Sequence, residues 1–314
     1  MKLAIFGATS QIAKDLIIRL SGLQDIKLYL YSRNPVLVEE WASKLRSRNK
    51  INSYHFAEFC SNQQYDGIIN FIGASDPEKI KLINSDILKI TNEYDSIIIN
   101  YLNVHIECKY LFISSGAAYG DVFSTENHDR TYSKFKLDNQ SVSDWYGIAK
   151  YCTEMRHRSL YQFNIYDIRV FSYFSASQNI EANFILSEMY RRIRDNSIFY
   201  TTDQNIVRDF IHPDDFYQLV CSVLFNDIKS CVLDCYSAEP ITKKELILLM
   251  HDEFGMEYNI KKNSKLISTS ASKVFYYSKN KSAGGLLGYI PRYTSKESIV
   301  MEMSKIIKNI KHHD

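Results

Sequence analysis

The sequence predicts an α/β protein, a doubly wound parallel sheet followed by a smaller α/β lobe. Three observations carry this. Short apolar runs that read as buried strands alternate with stretches of helical period through the first 171 residues. The first run passes through one glycine straight into a helix. Beyond residue 174 the alternation loosens into helices and short strands.

The elements follow in order. Lys2–Phe6 reads as a buried strand, and Gln11–Leu20 as a helix with apolar residues at helical spacing. Residues 26–31 form a second strand and 36–46 a second helix. A weaker strand is expected near 52–56 and a strong one, Gly-Ile-Ile-Asn-Phe-Ile, at 67–72. Residues 80–106 hold one helical pattern, 110–114 a strand, 143–160 a helix and 164–171 a strand. The later region shows helices at 182–194 and Lys243–Phe254 and a polar helix at the C-terminal end. Expected boundaries are a nucleotide-binding domain over 1–171, with 205–228 returning to it, and a smaller lobe from 172–204 and 229–314.

Bulk properties narrow the function. A chain of 314 residues, 45% hydrophobic and 24% charged, is neither disordered nor a disulfide-stapled miniprotein. A net charge of +2 leaves no basic excess to neutralise a phosphate backbone, so no nucleic-acid partner is expected. The longest apolar stretch, 97–113, is broken by His105, Glu107 and Lys109, so no membrane insertion is expected. The N-terminus lacks a cleavage-like site. The six cysteines lack metal-type pairing and read as small residues in a reducing cytosol, hence a cytoplasmic location. The histidines form no HExxH, and no metal is expected. Tyrosine (23) and phenylalanine (17) are abundant, whereas glycine numbers only 11. A chain of this length would ordinarily carry about 22 glycines.

The first strand–turn–helix reads Gly7-Ala8-Thr9-Ser10-Gln11-Ile12-Ala13. Backbone N–H groups and the dipole at such a helix start can hold a pyrophosphate, the mark of a Rossmann-type dinucleotide site. Gly7, Thr9, Ser10, Gln11 and Ile12 are the candidate contacts. Ala13 suits the third position of the glycine pattern, which needs close helix–strand packing; Ser10, where a glycine is usual, is the weaker substitution. At the end of the second strand an NAD enzyme normally places an acid for the ribose 2′-hydroxyl. This chain has Ser32, Arg33 and Asn34, a set suited to a 2′-phosphate, so NADP(H) is favoured over NAD(H).

Tyr146 and Lys150 lie four residues apart on a predicted helix and share a face. A phenol titrates near 10, and a neighbouring ammonium is expected to lower that value and allow proton exchange with a substrate oxygen. Upstream, Ser114-Ser115-Gly116-Ala117-Ala118-Tyr119-Gly120 leaves a strand's end, where ligand crevices form.

With these residues the chain resembles the extended short-chain dehydrogenases/reductases that act on nucleotide sugars. Further blocks agree in order: Arg169-Val170-Phe171, the run Arg208-Asp209-Phe210-Ile211-His212-Pro213-Asp214-Asp215 (similar to RDFIHVDD), and Leu287-Gly288-Tyr289-Ile290-Pro291-Arg292-Tyr293-Thr294-Ser295 (similar to LGxxPxTS). The resemblance implies that Tyr146 gives a proton to a sugar carbonyl, Lys150 holds the nicotinamide ribose and Ser115 bonds the reacting oxygen. It places Phe71, Ile72, Gly73, Asn92 and Phe171 along the cofactor. It assigns Arg208 to the nucleotide diphosphate, and Gly116, Ser172, Asn183 and Phe184 to the sugar side. Segment 172–184 replaces the family's FNxYGP loop and is the least matched part. His212, within a functional block, reads as structural.

The resemblance also sorts the chemistry. The 4,6-dehydratases carry Thr-Asp-Glu where this chain has Ser115-Gly116-Ala117, so elimination lacks its acid–base pair. Two oxidoreductase readings remain. An NADPH-dependent 4-keto reductase of a nucleotide-linked 4-keto-6-deoxyhexose, supplying deoxysugar for an O-antigen-like surface polysaccharide, is favoured. A 4-epimerase with retained NAD is the alternative. A non-catalytic NADP-binding regulator is disfavoured because Ser115, Tyr146 and Lys150 are kept together. Family members dimerise through the helix of Tyr146 and the one before the Ser115 strand, so a homodimer is expected; Ile97-Ile98-Ile99 would suit that face or the sheet.

Overall fold

In a computed structural model describing residues 1–47, 51–73, 76–126, 128, 130–204, 206–261 and 273–310, the apolar run Lys2–Phe6 forms strand β1, buried from Leu3 to Phe6. There follow α1 (Gln11–Leu20), β2 (Lys27–Ser32), α2 (Pro35–Ala42), β3 (Ile51–His55), β4 (Gly67–Asn70), α3 (Pro77–Ile83), α4 (Asp86–Leu102), β5 (Lys109–Ser115), α5 (Val142–Arg158) and β6 (Asn164–Val170). The rest comprises β7 (Ser172–Tyr173), α6 (Ile185–Arg194), β8 (Phe199–Thr202), β9 (Val207–Arg208), β10 (Phe210–Ile211), α7 (Pro213–Leu224) and β11 (Cys231–Cys235). It ends with β12 (Ile241–Thr242), α8 (Lys243–Phe254), β13 (Tyr258–Lys261), β14 (Phe275–Tyr276), α9 (Ser282–Leu287) and α10 (Ser295–Ile310).

Seven strands make one parallel sheet in the order β11-β6-β5-β4-β1-β2-β3. The order reverses between β1 and β4, the switch point at whose carboxyl ends such sheets bind ligands. α1 is capped by Ser10 and turns Ala13, Leu16, Ile17 and Leu20 onto one face of the sheet. α7 packs on the same face through Phe216, Leu219, Val220 and Val223. Residues 231–235, which the sequence reading places in the smaller lobe, form the seventh strand of this sheet instead. A separate apolar core built on Phe174, Leu186, Met189, Phe199, Met250 and Met303 joins α6, α8 and α10.

The helical stretch expected over 80–106 is two helices. Asn84, at φ 51°, donates its N–H to Ile80 and ends α3, and α4 starts at Asp86. Ile98 and Ile99 are buried against the sheet and only Ile97 of that run is exposed. The aromatic excess has a structural home on the face that α4 covers. Phe6 and Tyr31 stack at 5.1 Å, Phe59 stands edge-on to both, and Tyr31 and Tyr65 share a 2.5 Å hydrogen bond between their hydroxyls. Among the described residues no helix is long and apolar enough to cross a membrane.

Between α4, α5 and the sheet lies a buried ionic cluster. His157 bonds Asp167 through Nδ1 at 2.6 Å and Asp95 through Nε2 at 2.8 Å, and Asp95 also accepts from Tyr110 and Arg156. Burial opposes a charged imidazole, but the two carboxylates outweigh it and push the ring up to about 9. A raised folded value stabilises the fold fully below the unfolded value near 6.5, and the gain is lost as pH rises through about 9. The unfolding free energy measured in urea is therefore expected to fall between pH 6.5 and 9.5, by an amount on the order of 3 kcal/mol. A flat profile across that window would show that the ring is not held charged.

Candidate active site

The β1 turn and the ends of β2 and β4, candidate elements for a dinucleotide, lie together at the carboxyl edge of the sheet. Gly7 has φ +76°, and a Cβ there would stand 3.2 Å from the Phe71 carbonyl carbon and 3.3 Å from the Ile72 nitrogen. Only glycine lets the β1–α1 turn pass so close beneath the chain leaving β4. Ser10 serves as the N-cap of α1, its hydroxyl accepting from the Ala13 N–H at 3.3 Å. Gln11 is half-buried and donates to Ser175 at 2.8 Å; Thr9 is exposed and Ile12 half-buried.

At the end of β2, the Ser32 hydroxyl is buried without a hydrogen-bond partner, and Arg33 beside it is exposed with no ion pair among the described residues. Asn34 caps α2 by accepting from Leu37. A glycine cradle at Gly7 and an orphaned hydroxyl at Ser32 fit a dinucleotide laid across the switch point. Asn92 is elsewhere. It is exposed on α4, where it accepts from Arg156 at 3.3 Å and shares a groove with Phe56, Ala57 and Tyr94 rather than with Ile72 and Gly73.

Ser115 ends β5 and caps a tight turn over Gly116–Tyr119, its hydroxyl accepting from the Ala117 N–H at 3.1 Å. α5, opened by a Ser141–Asp144 capping box, packs backbone to backbone on that turn. A Cβ at Gly147 would stand 2.6 Å from the Ala117 oxygen, so this glycine lets the helix approach and brings its neighbour Tyr146 towards Ser115. Gly116 likewise has no room for a side chain, because the Phe171 ring would lie 2.5 Å from its Cβ.

Lys150 is buried one turn after Tyr146. Its ammonium donates to the Ile113 carbonyl at 2.9 Å and to the Ile72 carbonyl at 3.4 Å, and sits 4.4 Å from the Phe112 ring centre. It faces Gly73, where a Cβ would come within 2.9 Å of the nitrogen. Burial lowers Lys150 to about 8, against the upward pull of Glu154, Asp167 and Asp95. The electrostatics of Tyr146 reverse the expectation from sequence. The phenol is raised above its ordinary value, first by burial and then by the neighbouring Tyr276, with a Ser115 bond pulling weakly the other way. Lys150 does not offset this, since its nitrogen lies 5.9 Å from the Tyr146 ring centre and is turned to main-chain carbonyls. A neutral phenol is thus the state the site favours.

The second lobe completes the site with residues that sequence reasoning missed. Tyr276 brings its hydroxyl to 3.3 Å from the Ser115 hydroxyl and packs edge-on against Phe123 and Phe171. Lys273 stands over the Tyr276 ring at 4.7 Å and Arg208 at 5.9 Å. Arg208 donates to the Val207 and Val274 carbonyls. Burial lowers Lys273 to about 8 and Arg208 to about 10, and among the described residues neither has a salt-bridge partner. The Ser115–Tyr276 contact spans 161 residues of sequence, so no local spacing signals it.

The other sugar-side candidates lie along the segment after β6. Ser172 and Tyr173 pair in parallel with Phe210 and Ile211, which places them between Phe171 and the Arg208 strand. Asn183 is exposed and donates to Glu78 of α3 at 2.9 Å, and Phe184 begins α6. His212 caps α7 by accepting from the Asp214 N–H, with its other nitrogen 3.2 Å from Glu302.

A parallel seven-stranded sheet with this switch point, a glycine turn at Gly7 and a Ser–Tyr–Lys row at the ends of β5 and α5 define a Rossmann-type protein of the extended short-chain dehydrogenase/reductase kind. Residues 3–230 match the NAD dependent epimerase/dehydratase family, and the chain belongs to that family. The fold is shared along its length with solved structures of low identity. A UDP-glucuronic acid 4-epimerase from Bacillus cereus, in complex with NAD, has a TM-score of 0.76 at 15% identity, covering 98% of this chain and 99% of its own. A UDP-glucose 4-epimerase from Thermotoga maritima, with UDP-glucose, has 0.77 at 15%, covering 99% and 100%. A dTDP-glucose 4,6-dehydratase from Bacillus anthracis, with NAD, has 0.78 at 12%, covering 99% and 98%. No curated protein matches the sequence.

Proposed function

We propose that the protein is an NADPH-dependent reductase of the 4-keto group of a nucleotide-linked 4-keto-6-deoxyhexose. The observation that carries this reading is one arrangement. Ser115, Tyr146 and Lys150 are set at the sheet's edge, and the half-buried cations Arg208 and Lys273, without a salt-bridge partner among the described residues, stand over the ring of Tyr276, which touches Ser115. Cations without carboxylate partners suit a diphosphate. Gly116 and Ala117 follow Ser115 where an elimination would need carboxylates.

The nicotinamide cofactor supplies the hydride when bound, with Gly7, Ser10 and the ends of β2 and β4 as its cradle. Tyr146, kept neutral by burial, gives its proton to the carbonyl oxygen as negative charge develops there. Ser115 donates to the same oxygen and fixes its direction. Lys150, protonated at neutral pH, keeps its charge beside Gly73, where it would hold the ribose of the nicotinamide. The preference for a 2′-phosphate rests on Ser32 and Arg33 and the lack of an acid beside them. The NAD complexes of the structural neighbours support a nicotinamide cofactor without distinguishing its two forms. A homodimer, a cytoplasmic location and a role in surface-polysaccharide deoxysugar synthesis complete the proposal.

The test is direct. Purified protein given NADPH and a panel of dTDP-, GDP-, CDP- and UDP-linked 4-keto-6-deoxyhexoses is expected to consume NADPH with at least one of them. Absence of turnover across the panel removes the reductase reading. The 4-epimerase neighbours favour one second reading. It predicts that the protein is purified with nicotinamide nucleotide bound and interconverts UDP-hexoses without added cofactor.

A further inference from the structure

The chain leaving β6 is held by two buried carboxylates that the proposed reaction does not use. Asp15 lies on the inner face of α1, only 6% exposed. Its carboxylate accepts from the Tyr173 hydroxyl at 2.9 Å and from the Ser177 hydroxyl at 2.8 Å. The Ser177 and Ser175 hydroxyls are 2.9 Å apart, and Ser175 accepts from Gln11, one turn before Asp15 on the same helix. From the opposite side Glu302 of α10 accepts the Ala176 N–H at 2.6 Å, beside His212 and Lys305. A carboxylate placed in the apolar stripe of a helix costs free energy unless it is fully bonded, and these bonds satisfy it.

The clasped segment borders the site. It follows Phe171, whose ring lies against Gly116 and Tyr276, and its β7 pairs with the strand that begins two residues after Arg208. It also replaces the loop least matched by the sequence motifs of the family. We propose that Asp15 is a positioning residue, which holds segment 172–178 as a wall of the sugar subsite. α1 thereby sets both the cofactor turn at its N-terminus and the wall against which the second substrate rests. That the occupant is a nucleotide-linked sugar depends on the function proposed above; the clasp itself does not.

The variants Tyr173→Phe, Asp15→Ala and Asp15→Asn test this with three readouts: hydrogen exchange of peptides spanning 172–178 and 164–170, the cofactor dissociation constant, and KM against kcat for the nucleotide 4-keto sugar. Each bond at stake is to a charged group, so Asp15→Ala and Tyr173→Phe are expected to speed exchange in 172–178 about tenfold or more, leaving β6 unchanged. Sugar KM rises about tenfold while cofactor affinity stays within about twofold. Asp15→Asn, which keeps an acceptor oxygen, falls between Asp15→Ala and wild type. Unchanged exchange overturns the clasp. Faster exchange with unchanged KM overturns its role as a wall, and so does a cofactor constant that rises in step with KM. If wild-type protein turns over no nucleotide-linked sugar, the functional reading fails, and exchange in the variants still decides whether Asp15 holds the segment.

Discussion

Tyr146→Phe is expected to lower turnover of the nucleotide 4-keto sugar by about 10²-fold or more while leaving the cofactor dissociation constant within about twofold. The loss corresponds to about 2.7 kcal/mol of transition-state stabilisation. The substitution removes one oxygen and little else. The ring packs against Ile87 and Ala149, contacts that phenylalanine retains, so α5 keeps its place on the turn at Gly116–Tyr119. Lys150 holds the Ile113 and Ile72 carbonyls without help from the phenol, so the nicotinamide side of the site is untouched.

The pH dependence separates the roles of the two groups. Because burial and Tyr276 hold the phenol above its ordinary value, Tyr146 stays a proton donor through the alkaline range. Lys150 titrates first, at about 8, and kcat/KM of the wild type is expected to decline as pH rises through that value. A Tyr146→Phe rate equal to wild type at pH 7 would remove the phenol from the mechanism.

Much of this site is legible in the sequence because its parts are local. The β1 run and Gly7 announce the turn, and the spacing of Tyr146 and Lys150 gives their common face. Ser10 shows how a local rule works against a motif rule. Read as a defective glycine it weakens the site, but a serine immediately before a helical run is an N-cap, and that is its place in the structure. Asn84 illustrates the opposite difficulty. Its positive φ splits an unbroken helical period, and asparagine is among the few non-glycine residues enriched at positive φ. Tyr276 and Lys273 were not readable at all, since their contacts arise only when the second lobe closes over β5. The direction of the Tyr146 shift belongs to the same class, because burial and a distant phenol decide it rather than the adjacent lysine. Asn92 failed for a simpler reason. The α4 face it occupies is set by the buried Thr91, Asp95, Ile98 and Ile99, and this turns Asn92 outward to Arg156.

Arg169→Met is expected to destabilise the fold by about 3–5 kcal/mol, the range for a buried ion pair that loses one partner. Arg169 reaches across three elements. Its Nε and Nη2 fork onto Glu154 of α5 at distances from 2.6 to 3.1 Å, and Nη1 lies 3.4 Å from Asp234 of β11. The guanidinium also lies 4.4 Å from the Tyr119 ring centre. Burial alone would push Glu154 up, yet the Arg169 bonds hold it below the ordinary carboxylate range; burial keeps Asp234 above it. A lowered Glu154 contributes stability above its unfolded value that is lost as pH falls through the folded value. Methionine fills the volume but leaves two buried carboxylates without their common cation, so both gain from protonation. The loss in urea-unfolding free energy is therefore largest at pH 8 and shrinks towards pH 5. Adding Glu154→Gln to Arg169→Met removes one stranded charge and should recover part of the loss. α5 carries Tyr146 and Lys150 on its preceding turns, so the Glu154–Arg169 fork also fixes the helix that presents them. A single variant within about 0.5 kcal/mol of wild type at pH 8 would mean that Ser114, Arg158, Tyr119 and Ser278 suffice to hold both carboxylates.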